Sequence, residues 1–142
     1  MMQLHPIVWI VDDEEVNRIL ARAYLERLGW EVHEFSNGYD ALRRLNDEQP
    51  QALLLDVRMP GLSGDELVRQ IRAQFPGQAM RVVGYTAHCM EEALQPILAA
   101  GFDQVLIKPV SFQQMAQALP AAPPHAPAAP PCPVPPTLPM AP

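Results

Sequence analysis

The sequence lacks the features that mark a secreted, membrane-spanning or nucleic-acid-binding protein. No apolar run approaches the roughly 20 residues that a membrane-spanning helix needs, and residues 1–6 contain no Lys or Arg of the kind that begins a signal peptide. The two cysteines, Cys89 and Cys132, stand in no metal-binding or redox spacing. A formal net charge of -6 disfavours unassisted binding to nucleic acid. We therefore expect a cytoplasmic protein with reduced thiols that binds neither membranes nor nucleic acid.

Charged residues are also absent from the last part of the chain. After Lys108 there is no Asp, Glu, Lys or Arg, and 17 of the 23 residues from 120 to 142 are Pro or Ala. Such a composition cannot build a packed core, and it favours an extended, mobile segment. The sequence therefore predicts one folded domain over residues 4–119, followed by a Pro/Ala-rich tail or linker over residues 120–142.

What the sequence does contain is a fivefold alternation of predicted strands and helices. Buried, often β-branched segments predict strands over residues 7–11, 30–35, 52–55, 81–85 and 104–107. Apolar residues at helical spacing predict helices over residues 15–28, around 41–45, and over 64–75, 91–100 and 112–119. This alternation predicts an α/β fold: a doubly wound, flavodoxin-like, five-stranded parallel sheet of order 2-1-3-4-5, with helices on both faces.

Two of the predicted helices carry more specific expectations. In the first, we expect Ile19, Leu20, Ala23 and Leu28 to form the apolar stripe that faces the sheet. In the fourth, Pro96 removes a backbone hydrogen bond, so we expect it to kink or shorten the helix.

Polar residues stand at the carboxyl ends of four predicted strands. Asp12 and Asp13 follow the first strand and Asp56 the third, while Thr86 and Lys108 follow the fourth and fifth. In a 2-1-3-4-5 sheet the first and third strands are neighbours, so three carboxylates converge at the switch point of the topology. Two carboxylates about 4 Å apart repel by roughly 4 kcal/mol, so such a cluster requires a proton or a cation. Oxygen ligands without His or Cys favour Mg2+.

This arrangement suits phosphoryl transfer to a carboxylate. Asp56 is the candidate nucleophile, and its product is an acyl phosphate. Mg2+ can bind one equatorial oxygen of the transferred group, the Thr86 hydroxyl with nearby backbone N–H groups a second, and the Lys108 ammonium a third. Taken one at a time, the same residues are equally explained as turn caps, first-turn helix charges or surface charges.

The set as a whole resembles the receiver domain of two-component response regulators, over residues 7 to about 119. The motifs that carry the resemblance occur in the order of the family: Asp12-Asp13, Asp56 with Met59-Pro60-Gly61, Thr86-Ala87 and Lys108-Pro109. The segments 86–88 and 99–103 are more similar to receivers attached to hybrid sensor kinases than to those of DNA-binding regulators.

The resemblance implies a function and a set of partners. It implies that Asp56 accepts phosphate from a histidine kinase or a histidine phosphotransfer protein, and that the chain signals to a downstream effector. It implies no other enzymatic activity than the chain's own phosphorylation and dephosphorylation. It also implies direct Mg2+ ligation by Asp13 and Asp56, a water-mediated contact from Asp12, and a ligand from the backbone carbonyl of Arg58. The family's Lys-Pro bond is commonly cis, so the resemblance implies a cis bond between Lys108 and Pro109.

The sequence departs from the family at several positions. Val105 stands where receivers usually carry an aromatic switch residue, three positions before Lys108. Pro96 and the short last helix lie in the family's usual output and dimer face. The resemblance therefore does not imply that this chain forms the family's usual dimer. Arg58 and His88 are candidates for controlling water access to the phosphoryl group, or else ordinary exposed loop residues.

Three other functions compete with this interpretation. A Mg2+-dependent phosphohydrolase with an Asp nucleophile needs a second acid two residues later, where this chain has Arg58. A flavodoxin-like nucleotide binder needs a phosphate site after the first strand, where Asp12 and Asp13 repel phosphate. A scaffold or binding module with the receiver fold, independent of phosphorylation, has no evident use for Asp56, Thr86 and Lys108 together.

Overall fold

The computed structural model describes residues 6–76, 80–87 and 91–120, and it describes no side chains for residues 91–94. Within these ranges five strands and five helices alternate along the chain. The strands are β1 (Ile7–Val11), β2 (Glu31–Phe35), β3 (Ala52–Asp56), β4 (Arg81–Thr86) and β5 (Gln104–Ile107). The helices are α1 (Glu15–Arg27), α2 (Gly38–Arg44), α3 (Gly64–Gln74), α4 (Glu91–Ala99) and α5 (Phe112–Ala118).

The strands form one parallel sheet in the order β2-β1-β3-β4-β5, which confirms the predicted topology. Every residue of the central strand β3 is buried, as expected for a strand covered on both faces. The register pairs Val11 of β1 with Leu55 of β3, and Asp56 of β3 with Tyr85 of β4. The ends of these three strands therefore meet at one edge.

Two apolar clusters cover the two faces of the sheet. One contains Trp9 and Leu53 with buried residues of α2, α3 and α4, and the other contains Ile10 and Leu54 with buried residues of α1 and α5. Helices thus lie on both faces, as predicted. In the described part of the chain, no helix is both long and apolar enough to cross a lipid bilayer.

The ends of the helices follow from local sequence. Gly29 adopts a φ of 101°, a left-handed conformation that favours glycine and ends α1. The Asn37 side chain accepts a hydrogen bond from the Asp40 amide at the start of α2. Ser111 and Gln114 form a reciprocal capping box at the start of α5. The indole of Trp30 donates to the carbonyl oxygen of Leu119 at 2.8 Å, which fastens the end of α5 to the start of β2.

The predicted inner face of α1 is wrong for Ile19, Leu20 and Ala23, and it is confirmed for Leu28, which is half-buried and packs against the cluster on the α1 and α5 face. Ile19 and Leu20 are 59% and 47% exposed, Ala23 is exposed, and the buried residues of the helix are Ala21 and Leu25. The helix carries apolar residues on two sides, and the side that contacts β2 and α5 is the one that includes Ala21 and Leu25. The helix α4 continues on both sides of Pro96, so the proline does not end it.

Candidate functional site

Three carboxylates lie together at the carboxyl edge of the sheet. Asp12 and Asp13 follow β1, Asp56 ends β3, and each offers an oxygen within 4.8 Å of the others. Asp12 is fully buried and Asp56 is 4% exposed, whereas Asp13 is exposed. The sheet order, by making β1 and β3 neighbours, is what brings the two buried acids together. The predicted carboxylate cluster is therefore present.

Lys108 reaches these carboxylates from the end of β5. Its Nζ lies 3.3 Å from Oδ1 of Asp56 and 3.8 Å from Oδ2 of Asp12. The backbone amide of Lys108 donates to the Thr86 carbonyl at 2.8 Å, which fixes the base of the side chain beside β4. The Lys108–Pro109 peptide bond is cis, as the resemblance implied.

One cation is not enough to neutralise this cluster. Burial, and then the negative charge of Asp12, raise the pKa of Asp56 from 3.8 to about 6, although the Lys108 ammonium and the Arg58 amide lower it. The buried carboxylates thus retain an unfavourable charge interaction at neutral pH. An all-oxygen donor set with excess negative charge fits a hard divalent cation such as Mg2+.

The loop after β3 is held tightly against this cluster. The amide of Val57 donates to the Tyr85 carbonyl at 3.1 Å, and the amide of Arg58 donates to Oδ1 of Asp56 at 3.3 Å. Gly64 begins α3 with no room for a side chain, because a Cβ there would lie 2.3 Å from the carbonyl oxygen of Asp56. These contacts fix the direction in which Asp56 faces.

The site opens to solvent through a cleft of about 340 Å³. Its walls come from the β1–α1, β3–α3, β4–α4 and β5–α5 connections and from the first turns of α1. Among the described residues they include Asp13, Glu14, Asn17, Asp56, Arg58, Ala87 and Lys108. Asp56 therefore faces a space large enough to admit a phosphoryl group, and α1 borders the entrance.

The other predicted site residues occupy different places. Thr86 is fully buried at the end of β4, one register position beyond the residue paired with Asp56, and it does not line the cleft. The side chain of Arg58 is exposed beside the cleft. Val105 packs against the apolar cluster that includes α3 and α4. His88 lies outside the described residues.

Two side chains that the sequence did not single out contact the cluster. The buried phenol of Tyr85 donates a hydrogen bond to Oδ2 of Asp12, and its ring lies 4.6 Å from Nζ of Lys108. Burial and the neighbouring Asp12 raise the pKa of Tyr85 above its usual value, so the phenol stays protonated. Arg18 donates to the Asp12 carbonyl at 2.6 Å and pairs with Glu34 at 3.1 Å. The sequence does offer one signal for Tyr85: the hydroxyl group of a tyrosine near the end of a buried strand needs a hydrogen-bond partner.

Comparisons with known proteins agree with this geometry. The sequence model of the family described as the response regulator receiver domain matches residues 8–120. The chain is 36% identical over 117 residues to the sensor histidine kinase GacS of Pseudomonas protegens, a match that covers 80% of this chain and 13% of the kinase. It is 35% identical over 113 residues to the sensor histidine kinase RcsC of Salmonella typhi, covering 80% of this chain and 12% of that protein. The chain thus spans a small fraction of these curated relatives.

A solved structure gives the same result for the fold. The receiver domain of the sensor histidine kinase PA1611 from Pseudomonas aeruginosa, which has a magnesium ion coordinated in its active-site cleft, superimposes with a TM-score of 0.72. The two are 28% identical, and the match covers 81% of this chain and 98% of that one. The family match, the sheet order and the buried acids at its edge lead to one assignment. This chain belongs to the response regulator receiver domain family of two-component signalling, with relatives among the receivers of hybrid sensor kinases.

Proposed function

We propose that this chain is a phosphoacceptor that takes a phosphoryl group from a histidine kinase or a histidine phosphotransfer protein onto Asp56. The observation that carries the proposal is the placement of Asp56. Its buried carboxylate lies 3.3 Å from the Lys108 ammonium, faces an open cleft and shares it with a second acid, Asp13. A buried acid with a raised pKa in a cleft is typical of a reactive group rather than a structural one.

The residues present fit a bound Mg2+ ion. Asp13 and Asp56 would ligate it directly, together with the backbone carbonyl of Arg58, and Asp12 would contact it through water. When bound, the ion supplies charge neutralisation for the transferred phosphoryl group and relieves the repulsion among the carboxylates. The donor set that the structure brings within 4.8 Å supports this assignment.

The side chains of the site would carry out the transfer as follows. A carboxylate oxygen of Asp56 attacks the phosphorus, an O–P bond forms, and the N–P bond to the donor imidazole breaks. The Lys108 ammonium lies 3.3 Å from Asp56 before the reaction. It then leaves this carboxylate and pairs with a phosphoryl oxygen. The Thr86 hydroxyl, which is buried beside the cleft, turns towards it to hold another phosphoryl oxygen, and this shift signals the change to the rest of the domain.

The face of α1 beside the cleft supports a protein donor. Val16 and Ile19 are 73% and 59% exposed, and Asn17 on the same helix lines the cleft. An exposed apolar surface that borders a reactive group favours contact with another protein. We infer that the donor protein covers this part of α1 while its phosphohistidine enters the cleft.

Further features complete the proposal. The domain extends over residues 4–119 and is followed by a tail or linker over residues 120–142, and the protein acts in the cytoplasm. The chain catalyses no reaction apart from its own phosphorylation and dephosphorylation. It signals to a downstream effector. His88 and Arg58 modulate hydrolysis of the acyl phosphate, and Val105 alters the coupling between Thr86 and the output face.

The proposal is tested with a small phosphodonor, acetyl phosphate, and intact-mass measurement. We expect one added phosphoryl group in the presence of Mg2+, none with a chelator, and none in Asp56→Asn with Mg2+. A phosphoryl group that persists in Asp56→Asn would contradict the assignment of the acceptor. Modification that proceeds equally well in the chelator would contradict the role of Mg2+.

A further inference from the structure

The side chain of Tyr85 joins two members of the site that come from different strands. Tyr85 lies next to the end of β4, pairs in register with Asp56, and is 4% exposed. It belongs to the apolar cluster on the α1 and α5 face of the sheet, together with Val83 two residues earlier. From this face its hydroxyl reaches Asp12 at the end of β1, while its ring borders Lys108 from β5.

The hydroxyl group completes the support of Asp12. Oδ1 of Asp12 accepts a hydrogen bond from the Glu14 amide at 2.9 Å, and Oδ2 accepts the hydrogen bond from the Tyr85 phenol. With both oxygens held, the buried carboxylate has one orientation. An acid that contacts a cation, directly or through water, depends on such outer partners for its orientation.

The ring acts on the other side of the site. Nζ of Lys108 lies 4.6 Å from the centre of the Tyr85 ring and 3.3 Å from Oδ1 of Asp56. A cation over an aromatic face is attracted to it. The ring therefore restricts Lys108 to positions close to Asp56, which an aliphatic side chain of similar size does not do.

We propose that Tyr85 is a positioning residue of this site: its hydroxyl orients Asp12 towards the bound cation, and its ring holds Lys108 beside Asp56. The inference rests on the proposed function, because it assumes that the carboxylates bind Mg2+. Two substitutions separate the contribution of the hydroxyl group from that of the ring. Tyr85→Phe removes only the hydroxyl group, and Tyr85→Leu removes the ring as well.

The first test is a Mg2+ titration of four proteins: wild type, Tyr85→Phe, Asp12→Asn and the double variant. We expect Tyr85→Phe to weaken Mg2+ binding about tenfold, the size of effect seen when an outer partner of a metal ligand is removed. In the Asp12→Asn background the same substitution should change the affinity little, because its partner is gone. An unchanged affinity in Tyr85→Phe, or an equal loss in both backgrounds, would overturn the role of the hydroxyl.

Two controls separate this inference from the proposed function. Tyr24 lies beside the same apolar cluster, so Tyr24→Phe should keep the wild-type Mg2+ affinity. Asp13→Asn should abolish or strongly weaken binding. If wild type binds no Mg2+, the proposed function fails and this inference fails with it. If wild type binds Mg2+ and Asp13→Asn does not, while Tyr85→Phe equals wild type, only the inference about Tyr85 fails.

The ring is tested by phosphorylation with acetyl phosphate at saturating Mg2+. Tyr85→Leu should be several-fold slower than Tyr85→Phe, since only the phenylalanine variant keeps the ring. Equal maximal rates in the two variants would overturn the role of the ring.

A measurement on the wild-type protein covers the case in which a variant does not fold. In protein labelled with 13C-tyrosine, the Tyr85 ring signals should shift during the Mg2+ titration with the same Kd as binding. Signals that stay unchanged at saturation would overturn the inference without any substitution.

Discussion

The Lys108 ammonium lies closer to Oδ1 of Asp56, at 3.3 Å, than to Oδ2 of Asp12, at 3.8 Å. The two acids therefore compete for one cation, and Asp56, the residue that faces the cleft, takes the larger share of it. A metal ion entering the cleft would compete with Lys108 for the same oxygens. Under the proposed function, the lysine should oppose binding of the cation and favour transfer of phosphate, and one substitution can separate these two effects.

Lys108→Ala should bind Mg2+ more tightly than wild type and accept phosphate more slowly. Lys108 lies 3.3 Å from Asp56, a proposed Mg2+ ligand, so removing its positive charge should strengthen the attraction of this carboxylate for a divalent cation. The same change removes a partner of the phosphoryl oxygens, and losing one such donor commonly lowers the rate by about a hundredfold or more. Titration of Mg2+ and acetyl phosphate kinetics measure the two effects. Lys108→Arg keeps the charge and should return the Mg2+ affinity towards wild type. A Lys108→Ala protein with weaker Mg2+ binding would contradict this account.

Asp56→Asn should stabilise the Mg2+-free protein at neutral pH. The pKa of Asp56 is raised from its ordinary value of 3.8 to about 6 in the folded protein. Between these two pH values the folded state therefore binds more protons than the unfolded state. The stability conferred by the protonated acid is therefore present below pH 3.8 and is lost as the pH rises through about 6. One pKa unit corresponds to about 1.4 kcal/mol. The raised pKa of Asp56 therefore lowers the free energy of unfolding at neutral pH by roughly 3 kcal/mol at most. Denaturant unfolding from pH 4 to 8 measures it.

The Asp56→Asn result has two controls. Asp47 is an exposed acid, and Asp47→Asn should leave the free energy of unfolding at pH 7 close to that of wild type. Saturating Mg2+ should reduce the difference between wild type and Asp56→Asn, because the ion stabilises the folded state only where the carboxylates are intact. An Asp56→Asn protein that is less stable than wild type at pH 7 without Mg2+ would show that the buried acid is satisfied by its neighbours.

The sheet and the carboxylate cluster were predictable from sequence because both follow from the strands. Buried segments such as Leu53–Leu55 have no alternative to a central position, and alternation with helices fixes the parallel direction. Once the strand order is known, Asp12 and Asp56 must meet at one edge, and the structure places them there. The predicted sheet order and the convergence of the three carboxylates were therefore confirmed.

Predictions that depend on which way a side chain faces were less successful. The helix α1 has one apolar side with Val16, Ile19 and Leu20, and another with Ala21 and Leu25, and nothing local distinguishes them. The choice is made by β2 and α5, which come later in the chain. Tyr85 was missed for a similar reason, since its contact with Asp12 spans two strands that are far apart in sequence.

Ile19→Ser should slow phosphotransfer from a protein donor without affecting acetyl phosphate as a donor. Ile19 is 59% exposed, so the substitution removes apolar contact surface with little effect on folding. Truncating an apolar residue that anchors a protein interface costs about 1 kcal/mol or more, so we expect a loss of about fivefold or more in kcat/KM. Wild type is first tested with the histidine kinases of its own organism to find the kinase that transfers phosphate fastest. The transfer rates of wild type and Ile19→Ser are then compared with that kinase.

Leu98 provides a matched control for this surface. It is 39% exposed on α4, which packs on the other face of the sheet from α1. Leu98→Ser should therefore leave transfer from the kinase unchanged. Equal losses in Ile19→Ser and Leu98→Ser, or a loss in Ile19→Ser with acetyl phosphate as well, would argue against a docking surface on α1.

Gly64→Ala should destabilise the domain and weaken Mg2+ binding together. A Cβ at position 64 would lie 2.3 Å from the Asp56 carbonyl oxygen and 2.8 Å from Cα of Val57, so the backbone that carries the acceptor must move. Overpacking of this kind commonly lowers stability by about 1–3 kcal/mol. Gly38→Ala is the matched control, because Gly38 also begins a helix but its Cβ would meet the movable Leu62 side chain at 3.1 Å. Denaturant unfolding and Mg2+ titration should show a larger loss for Gly64→Ala in both quantities. If the two variants lose equal stability and Gly64→Ala keeps its Mg2+ affinity, close packing at this helix start does not position Asp56.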